Sequence, residues 1–217
     1  MAKKTQTKAS PVKVPTSLYF TRQPSDPSPS IIHHHPQILT INHFYSPNFS
    51  SQLLSQLKNL TLETTPLLKS RLYAARVNDR ISIEDPQAAQ NMWNTLRPII
   101  LQDPDLYDEF QTAKGLNPNI RIYRYGPGQY FGKHVDESVM TFVPKGVTKW
   151  TVLLYLTGTK EGLNGGETVF YDDKEKIIVT PVKGLICLHK HGDDCLEHEA
   201  MKVDSGEKWV VRSDVVF

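Results

Sequence analysis

His134 and Asp136 are separated by one residue in the stretch GKHVDES at residues 132–138. Successive side chains of a β-strand point to opposite faces, so in a strand these two would project the same way from Cα atoms about 6.7 Å apart. One imidazole and one carboxylate could then reach a common metal ion. The step alone is weak evidence, because a polar strand end at a sheet rim would carry the same residues and because a second such step occurs at His191-Gly-Asp193.

A third histidine and a lysine follow in an order that makes the first pair more informative. His198 begins the predicted strand HEAMKV, and Lys208 lies ten residues further on, in the predicted last strand. Two imidazoles and one carboxylate on one face of a metal are typical of non-haem Fe(II) sites, which keep the remaining positions open. His134, Asp136 and His198 are therefore the candidate metal ligands.

The last predicted strand, KWVVRSDVVF at residues 208–217, has two different faces. The apolar face consists of Trp209, Val211, Val215 and Phe217, and the other of Lys208, Val210, Arg212 and Asp214. A charged face of this kind is either turned to water or lines a barrel interior, where a buried cation would bind an anionic ligand. The pattern alone leaves both interpretations open.

Three helices are predicted before these strands. The stretch SPNFSSQLLSQLKNL at residues 46–60 repeats Leu at helical spacing. Asp85-Pro86 and Asp103-Pro104 each combine an N-cap residue with Pro at the first helical position, and Gly115 ends the third helix. We expect these helices to pack against the sheet that the later strands form.

After Gly115 the hydrophobic period shortens toward 2, which predicts about eight short strands. They are IRIYRY, QYFGKHVD, VTKWTVLLYLTG, ETVFYD, KIIVTPV, GLICLHK, HEAMKV and KWVVRSDVVF. No helix separates them, so they predict a β-sandwich or barrel rather than a parallel sheet. The expected fold class is mainly β, with supporting helices first.

Two polar stretches between these strands are predicted to be loops. His191-Gly-Asp193 lies in the turn-like stretch HKHGDDC, which we place at the barrel mouth, and His189, on the same strand face as His191, is given no role. Asn164-Gly165 is a two-residue turn signal and predicts a hairpin leading into ETVFYD.

Residues 1–36 are predicted to be a disordered basic tail. They are rich in Pro and Ser, as in PSDPSPS, and residues 1–35 hold five Lys or Arg against one Asp. No apolar run is long enough to span a membrane, and no apolar h-region marks a secretory signal. The remaining chain is slightly acidic, which makes nucleic acid an unlikely partner. We therefore expect a cytoplasmic or nuclear protein without membrane association.

The motifs together resemble those of the Fe(II)/2-oxoglutarate-dependent dioxygenases, most closely the prolyl 4-hydroxylase branch. The matching pieces are His134-Val-Asp136, His198, GGETVF at residues 165–170, and a lysine ten residues after the distal histidine that is followed by an aromatic residue. The resemblance implies one domain at residues 37–217. It would consist of a helical buttress at 37–118 and a double-stranded β-helix, or jelly-roll, core at 119–217.

The resemblance also implies a role for each candidate residue. His134, Asp136 and His198 would bind Fe(II), and Lys208 would pair with the C5 carboxylate of the cosubstrate 2-oxoglutarate. Arg212 is the competitor for that carboxylate, because some relatives use an arginine there.

Two tyrosines and an accessory cofactor complete the implied site. Tyr125 and Tyr155 match tyrosines that line the cosubstrate pocket of similar enzymes. Ascorbate is a further cofactor that the resemblance suggests.

The implied reaction is hydroxylation of a C–H bond, with a prolyl or other residue of a protein as the expected substrate. A small-molecule or free amino-acid hydroxylase and a non-catalytic jelly-roll binding module are the alternatives. Nucleic-acid demethylases of the alkylation-repair kind are a less expected class, because their pattern has two Arg after the distal histidine and this chain does not show it. The exact substrate, the oligomeric state, and the roles of the tail and of residues 76–85 are left open.

Overall fold

The computed structural model describes residues 28–65, 74–173 and 175–217. Its α-helices span Pro47–Leu57 (α1), Pro86–Ile100 (α2) and Pro104–Phe110 (α3). Each begins with Pro directly after a polar cap whose side chain accepts a hydrogen bond from a backbone N–H of the first turn; the caps are Ser46, Asp85 and Asp103. The three predicted helices are confirmed.

Short strands make up most of the remaining described chain. In chain order they are Ser30–His35 (β1), Ile38–Asn42 (β2), Glu63–Thr64 (β3), Arg76–Val77 (β4), Asp79–Glu84 (β5), Gly115–Leu116 (β6), Asn119–Tyr125 (β7), Tyr130–His134 (β8), Met140–Phe142 (β9), Lys145–Tyr155 (β10), Asn164–Gly165 (β11), Thr168–Tyr171 (β12), Lys176–Val179 (β13), Ile186–Lys190 (β14), Glu197–Ala200 (β15), Val203–Ser205 (β16) and Lys208–Val216 (β17). All eight predicted strands are present, and HEAMKV is divided between β15 and β16.

The strands form two main antiparallel sheets. The larger has the order β1-β2-β14-β10-β17-β7-β5-β3, with β6 beside β17 and β9 beside β10. The smaller has the order β13-β12-β15-β8-β4, and β11 pairs separately with β16. Neighbours in the sheets are mostly distant in sequence, as in a double-stranded β-helix. The predicted jelly-roll fold class is confirmed.

The larger sheet buries a different apolar cluster on each face. One cluster joins the helices to this sheet and includes Leu53, Leu96, Phe110, Trp150 and Val211. The second lies between the two sheets and includes Tyr155, Phe170, Cys187 and Val210. Strand β17 contributes to both, because its side chains alternate between the two faces.

The charged face of β17 therefore lines the interior between the sheets. Trp209, Val211 and Val215 belong to the helix-side cluster. Lys208 and Arg212, on the opposite face, line a pocket between the sheets. Of the two interpretations that the sequence leaves open, the barrel interior is the correct one.

The predicted tail to residue 36 is too long. Ser30–His35 is strand β1, with Ile31 opposite Ile41 of β2, and β2 in turn pairs with β14. The sequence SIIHHH shows no clear alternation of apolar residues, and the strand is mostly exposed. Its pairing with β2 therefore relies more on backbone hydrogen bonds than on burial of apolar side chains. Residues 1–27 of the predicted tail lie outside the described residues.

Residues 37–118 are not purely helical. The unassigned stretch at residues 76–85 forms β4, which extends the smaller sheet beside β8, and β5, which pairs with β7 in the larger. Strands β2 and β6 also come from this half of the chain. The two sheets thus include strands from the segment before residue 119. Among the described helices, we find none with the length and apolar character of a membrane span.

Candidate metal centre and anion pocket

Three predicted ligands meet at the junction of β8 and β15. His134, the last residue of β8, lies directly opposite His198 of β15 in the sheet register. Nitrogen atoms of these two imidazoles and a carboxylate oxygen of Asp136 all lie within 4.8 Å of one another. Side chains 64 residues apart in sequence are thus brought together by strand pairing.

Asp136 reaches this position in a different way from the one predicted. Strand β8 ends at His134, so Asp136 follows the strand and is not placed by its alternation. Its carbonyl oxygen accepts a hydrogen bond from Gly192 N at 2.8 Å, and its own N–H donates to Cys195 Sγ at 3.2 Å. The turn around His191-Gly-Asp193, predicted to be a loop at the barrel mouth, thus holds the backbone of Asp136.

Both imidazoles are oriented by the backbone. Nδ1 of His134 contacts the carbonyl oxygen of Gly132 at 2.9 Å, and Nδ1 of His198 contacts that of Leu196 at 2.9 Å. A carbonyl can only accept, so each Nδ1 carries the proton and each Nε2 presents a lone pair. Those Nε2 atoms lie 3.8 and 3.7 Å from the carboxylate oxygens of Asp136.

The protonation states also suit a metal. Burial, with a smaller contribution from the neighbouring His198, lowers the pKa of His134 to about 4. Burial likewise lowers the pKa of His198. Both imidazoles are therefore neutral at pH 7, as metal coordination requires.

Asp136 is a buried carboxylate with its charge compensated. Arg212 Nη1 donates to its Oδ1 at 2.9 Å, and Thr151 Oγ1 donates to its Oδ2 at 2.9 Å. Burial alone would raise the pKa of Asp136, but Arg212 and the surrounding histidines hold it well below its usual range. Neutral Nε2 atoms and an ionised carboxylate form a donor set that fits a divalent non-haem metal ion.

Lys208 lies in the same pocket with a very different environment. It is 2% exposed, its Nζ donates to Thr168 Oγ1 at 3.3 Å, and the rings of Tyr125 and Tyr155 lie 5.5 Å from Nζ. Within the described chain no carboxylate forms a salt bridge with this ammonium. Burial lowers the pKa of Lys208 to about 7.

Arg212, the predicted competitor, already has partners. Besides Asp136, its guanidinium lies 3.4 Å from Asp214 Oδ1, and Asp214 also contacts Arg121. A cation held between two carboxylates has little capacity left for a third. Of these two pocket cations, Lys208 is therefore the one without a carboxylate partner among the described residues.

The two predicted tyrosines line the pocket together with Lys208. The cavity that these residues line has a volume of about 40 Å³. Tyr125 and Tyr155 are both buried, and the hydroxyl of Tyr155 lies 2.8 Å from Thr168 Oγ1. Burial raises the pKa of both phenols, so both stay protonated and can donate hydrogen bonds.

The GGETVF stretch shapes the lysine end of the pocket, but it is not the predicted hairpin turn. Asn164 and Gly165 form strand β11, which pairs with β16. Gly165 and Gly166 both have a φ of 75°, and a Cβ on Gly166 would meet Lys208 Cδ at 3.3 Å. The glycine lets this segment pass close to the lysine side chain.

Three polar residues in or beside the pocket were not predicted as site residues. Thr168 and His189 line the pocket, and Thr151 donates a hydrogen bond to Asp136. Thr151 shares an inward strand face with Leu153 and Tyr155, and His189 shares one with Cys187. The available signal was a polar residue on the inward face of an otherwise apolar strand.

The strand-rich part of the chain matches a known family. The sequence profile of the 2OG-Fe(II) oxygenase superfamily matches residues 120–213. An uncharacterized protein of fowlpox virus (strain NVSL) is 27% identical over 191 residues, which cover 82% of this chain and 43% of the viral protein. The chain thus spans less than half the length of that relative.

Solved structures of low identity share the fold. A viral collagen prolyl hydroxylase from Paramecium Bursaria Chlorella virus-1 has a TM-score of 0.56 at 20% identity, covering 82% of this chain and 95% of that one. A Pseudomonas putida prolyl-4-hydroxylase has a TM-score of 0.60 at 17% identity, covering 83% and 93%. At these identities the likeness establishes a common fold.

Proposed function

We propose that this chain, which belongs through residues 120–213 to the 2OG-Fe(II) oxygenase superfamily, is an Fe(II)- and 2-oxoglutarate-dependent dioxygenase that hydroxylates a C–H bond. The family predicted from the motifs is confirmed. The observation that carries the proposal is a single pocket with two features. It holds the converging donors of His134, Asp136 and His198, and it holds the buried ammonium of Lys208.

His134, Asp136 and His198 would hold the Fe(II). Their Nε2 and carboxylate atoms face one another across 3.7 to 3.8 Å with no proton between them, so a cation at this point would relieve the repulsion of their lone pairs. Arg212 and Thr151 keep the carboxylate ionised and oriented. These contacts position the ligands before the metal arrives.

Lys208 would pair with the C5 carboxylate of 2-oxoglutarate. A buried ammonium without a carboxylate partner is costly, and an anionic ligand supplies the missing charge. Thr168 beside it can donate a further hydrogen bond to the same carboxylate, and Tyr125 and Tyr155 close the pocket around the ligand. Ascorbate remains an expectation from the family resemblance.

When bound, Fe(II), 2-oxoglutarate and dioxygen together supply the oxidation, in which one oxygen atom enters the substrate C–H bond and the other enters succinate as CO₂ is released. The protein binds and orders these reactants. Phe131, which stacks on His134 at 3.7 Å, and the apolar Leu153 and Val210 limit the access of water to the site.

A prolyl residue of a protein is the proposed substrate. The solved structures that share the fold include prolyl hydroxylases of viral and bacterial origin. In addition, an exposed apolar hairpin begins four residues after Asp136: Met140, Phe142 and Val143 are 65%, 87% and 66% exposed. Exposed apolar clusters of this kind often bind polypeptides. We name residues 140–143 the apolar hairpin.

Binding of 2-oxoglutarate to the anaerobic Fe(II) protein tests the proposed reaction. We expect a weak visible charge-transfer band. Lys208→Ala should weaken 2-oxoglutarate binding by about 10- to 150-fold, since a hydrogen bond to a charged group is worth about 1.5–3 kcal/mol. Absence of the band from the wild-type protein would contradict the proposal, and a large loss confined to Arg212→Ala would transfer the role of Lys208 to Arg212.

Mass spectrometry of prolyl peptides incubated with the enzyme tests the substrate. We expect one added oxygen atom on proline and one succinate per turnover. Phe142→Ser should raise the KM for peptide and leave the KM for 2-oxoglutarate unchanged, because the apolar hairpin lies outside the pocket. Turnover of free amino acids or other small molecules without modification of any peptide would instead support the small-molecule alternative.

A further inference from the structure

An arginine lies at the wall of the pocket without a carboxylate partner among the described residues. Arg76 is in β4, the edge strand of the smaller sheet, and lies directly opposite Phe131 of β8 in the sheet register. Its guanidinium carbon lies 4.6 Å from the ring centroids of Phe131 and of Tyr123, and both rings line the pocket. The two rings thus hold the guanidinium in one place.

The hydrogen-bonding edge of the Arg76 guanidinium is only partly used. Aromatic rings contact the faces of a guanidinium and leave its in-plane N–H donors available. Nε donates to Asn78 Oδ1 at 2.9 Å, whereas Nη2 is buried and has no hydrogen-bond partner among the described residues. A buried donor of a charged group is costly when it is unsatisfied, so it needs a physical reason. A ligand atom that accepts a hydrogen bond from Nη2 would supply that reason.

The positive charge of Arg76 is also unmatched. Arg212 and Arg121 already contact carboxylates of the described chain, and 2-oxoglutarate is the proposed partner of Lys208. Burial alone would raise the pKa of Tyr123, but Arg212 and two further arginines, one of them Arg76, lower it below its usual value. This wall of the pocket therefore lies at a positive potential. An anion is the complementary ligand.

The position of Arg76 relative to the metal centre limits what this anion can be. His134 stacks on Phe131 with ring centroids 3.7 Å apart, so the guanidinium, 4.6 Å from the same ring, lies on its other face. A ligand that reaches from the His134 side to Arg76 must cross both stacking distances. Consecutive residues of an extended chain advance about 3.3–3.6 Å each, so these distances correspond to roughly two residues. A carboxylate on a neighbouring residue of a polypeptide fits this span better than the carboxylate of a single free amino acid.

We propose that Arg76 is a specificity-determining residue that binds a carboxylate of the substrate, and that the preferred polypeptide has Asp or Glu within two residues of the hydroxylated position. The inference rests on the proposed function, because it names the class of polypeptide that the same site takes. A carboxylate can accept two parallel hydrogen bonds from the planar edge of a guanidinium. Such a contact fixes the orientation of the substrate as well as neutralising the charge.

Binding of matched peptides to the full-length protein loaded with Mn(II) and 2-oxoglutarate, measured under nitrogen, tests the inference. Each peptide has one proline, and Asp or its neutral isostere Asn stands at one of the two positions before or after it. At one of these positions we expect the Asp peptide to bind about 10- to 150-fold more tightly than the Asn peptide, the range for a hydrogen bond to a charged group. The difference should shrink as the salt concentration rises.

Three variants assign this preference to one side chain. Arg76→Gln should abolish the preference for Asp over Asn, and because both affinities are measured on the same variant, a change of packing on Phe131 affects both peptides. Arg76→Lys keeps the charge without the planar fork, so it should keep only part of the preference. Arg80→Gln is the matched control, because Arg80 is an exposed arginine of the following strand, β5, and its loss should leave the preference intact.

Equal affinities for the Asp and Asn peptides at all four positions would overturn the inference. A full preference that survives in Arg76→Gln would also overturn it, and if the glutamine variant does not fold, a full preference in Arg76→Lys would do the same. N-acetylproline and its amide test the other source of a carboxylate. Binding of this free acid through Arg76, with no preference among the peptides, would assign the carboxylate to a small molecule and contradict the polypeptide.

Failure of this inference and failure of the proposed function give different results. If an Asp peptide binds through Arg76 but the Fe(II) protein in air adds oxygen to no peptide, the proposed function is wrong and the carboxylate site stands. If the wild type and Arg76→Gln hydroxylate Asp and Asn peptides equally well, the carboxylate site is wrong and the proposed function stands.

Discussion

The two ends of the pocket each hold a cation from the same strand, and the two cations differ in what surrounds them. Arg212 lies beside the carboxylates of Asp136 and Asp214, at 2.9 and 3.4 Å. Lys208, four residues earlier on the same face, has the hydroxyl of Thr168 at 3.3 Å and forms no salt bridge with any described residue. Buried charges are tolerated when they are paired. The partners of Arg212 are thus part of the fold, whereas the partner of Lys208 is expected to be a ligand.

The largest expected effect is on the free energy of unfolding when the charge of Arg212 or of Lys208 is removed. Arg212→Met should destabilise the metal-free protein by about 3–5 kcal/mol, because it leaves the buried carboxylate of Asp136 without its main compensating charge. Lys208→Met should be neutral or stabilising, because it removes a buried ammonium that has no carboxylate partner in the part of the chain that the structure describes. Urea denaturation at pH 7 measures both free energies of unfolding.

Arg212→Met and Lys208→Met form a matched pair that tests the contrast between the two cations directly. Both substitutions insert the same residue on one strand face, so differences in methionine packing are small relative to the expected gap. A loss of stability in Lys208→Met as large as that in Arg212→Met would mean that Lys208 has an internal partner, and the contrast between the two ends would be wrong.

The next expected effect is the uptake of a proton by Lys208 when 2-oxoglutarate binds. Burial holds the pKa of Lys208 at about 7, so above that pH the free protein carries mostly the neutral amine. A bound carboxylate favours the ammonium, so 2-oxoglutarate binding should take up close to one proton at pH 8 and little at pH 6. Calorimetry of the Mn(II)-loaded protein in buffers of different ionisation enthalpy measures this uptake.

Lys208→Arg is the control for proton uptake, because a guanidinium remains protonated throughout this range. It should bind 2-oxoglutarate with no uptake at either pH. The lowered pKa of Lys208 also affects folding. Between pH 7 and about 10.4 the Lys208 side chain is mostly protonated in the unfolded chain and mostly neutral in the folded one. The contribution of Lys208 to the free energy of unfolding should therefore become less unfavourable as the pH rises. Proton release on binding, or a pH-independent uptake, would contradict this account of the lysine end.

The contrast between the two ends also marks what the sequence could predict. Order and spacing along the chain were sufficient to select His134, Asp136, His198 and Lys208, which the fold brings into one pocket. The pairing of Arg212 with Asp136 was not predictable, since it depends on how β17 lies beside β10 and on a segment that follows β8. Strand alternation explained the faces of β17 but not the position of Asp136.

Regions whose structure depends on a neighbour were the least predictable. Strand β1 is an edge strand in a sequence with few apolar residues, and it exists because β2 offers backbone partners. The place of His189 in the pocket was not predicted, because it arises from the register of β14 against β10, which puts this residue opposite Thr151 and near Asp136. Local patterns contain no information on such pairings between distant strands.

The smallest expected effect separates the hydroxyl of Thr168 from the charge of Lys208. Thr168 Oγ1 lies 3.3 Å from Lys208 Nζ and 2.8 Å from the hydroxyl of Tyr155, so it links the ammonium to the pocket wall. Thr168→Val keeps the shape and removes these contacts, each worth about 0.5–1.5 kcal/mol. We expect the KM for 2-oxoglutarate to rise by about 2- to 10-fold, well below the effect of Lys208→Ala, with metal affinity unchanged.

Thr151→Val provides the corresponding change at the other end of the pocket. Thr151 Oγ1 donates to Asp136 Oδ2 at 2.9 Å, so its loss should lower Mn(II) affinity and leave 2-oxoglutarate binding to the metal-loaded protein nearly unchanged. The two valine variants thus predict opposite patterns in the same two titrations. The division into a metal end and an anion end requires each hydroxyl to affect the binding of one ligand only. If both variants lowered the affinities for Mn(II) and for 2-oxoglutarate equally, that division would be wrong. The hydroxyls would then act through the general packing of the pocket.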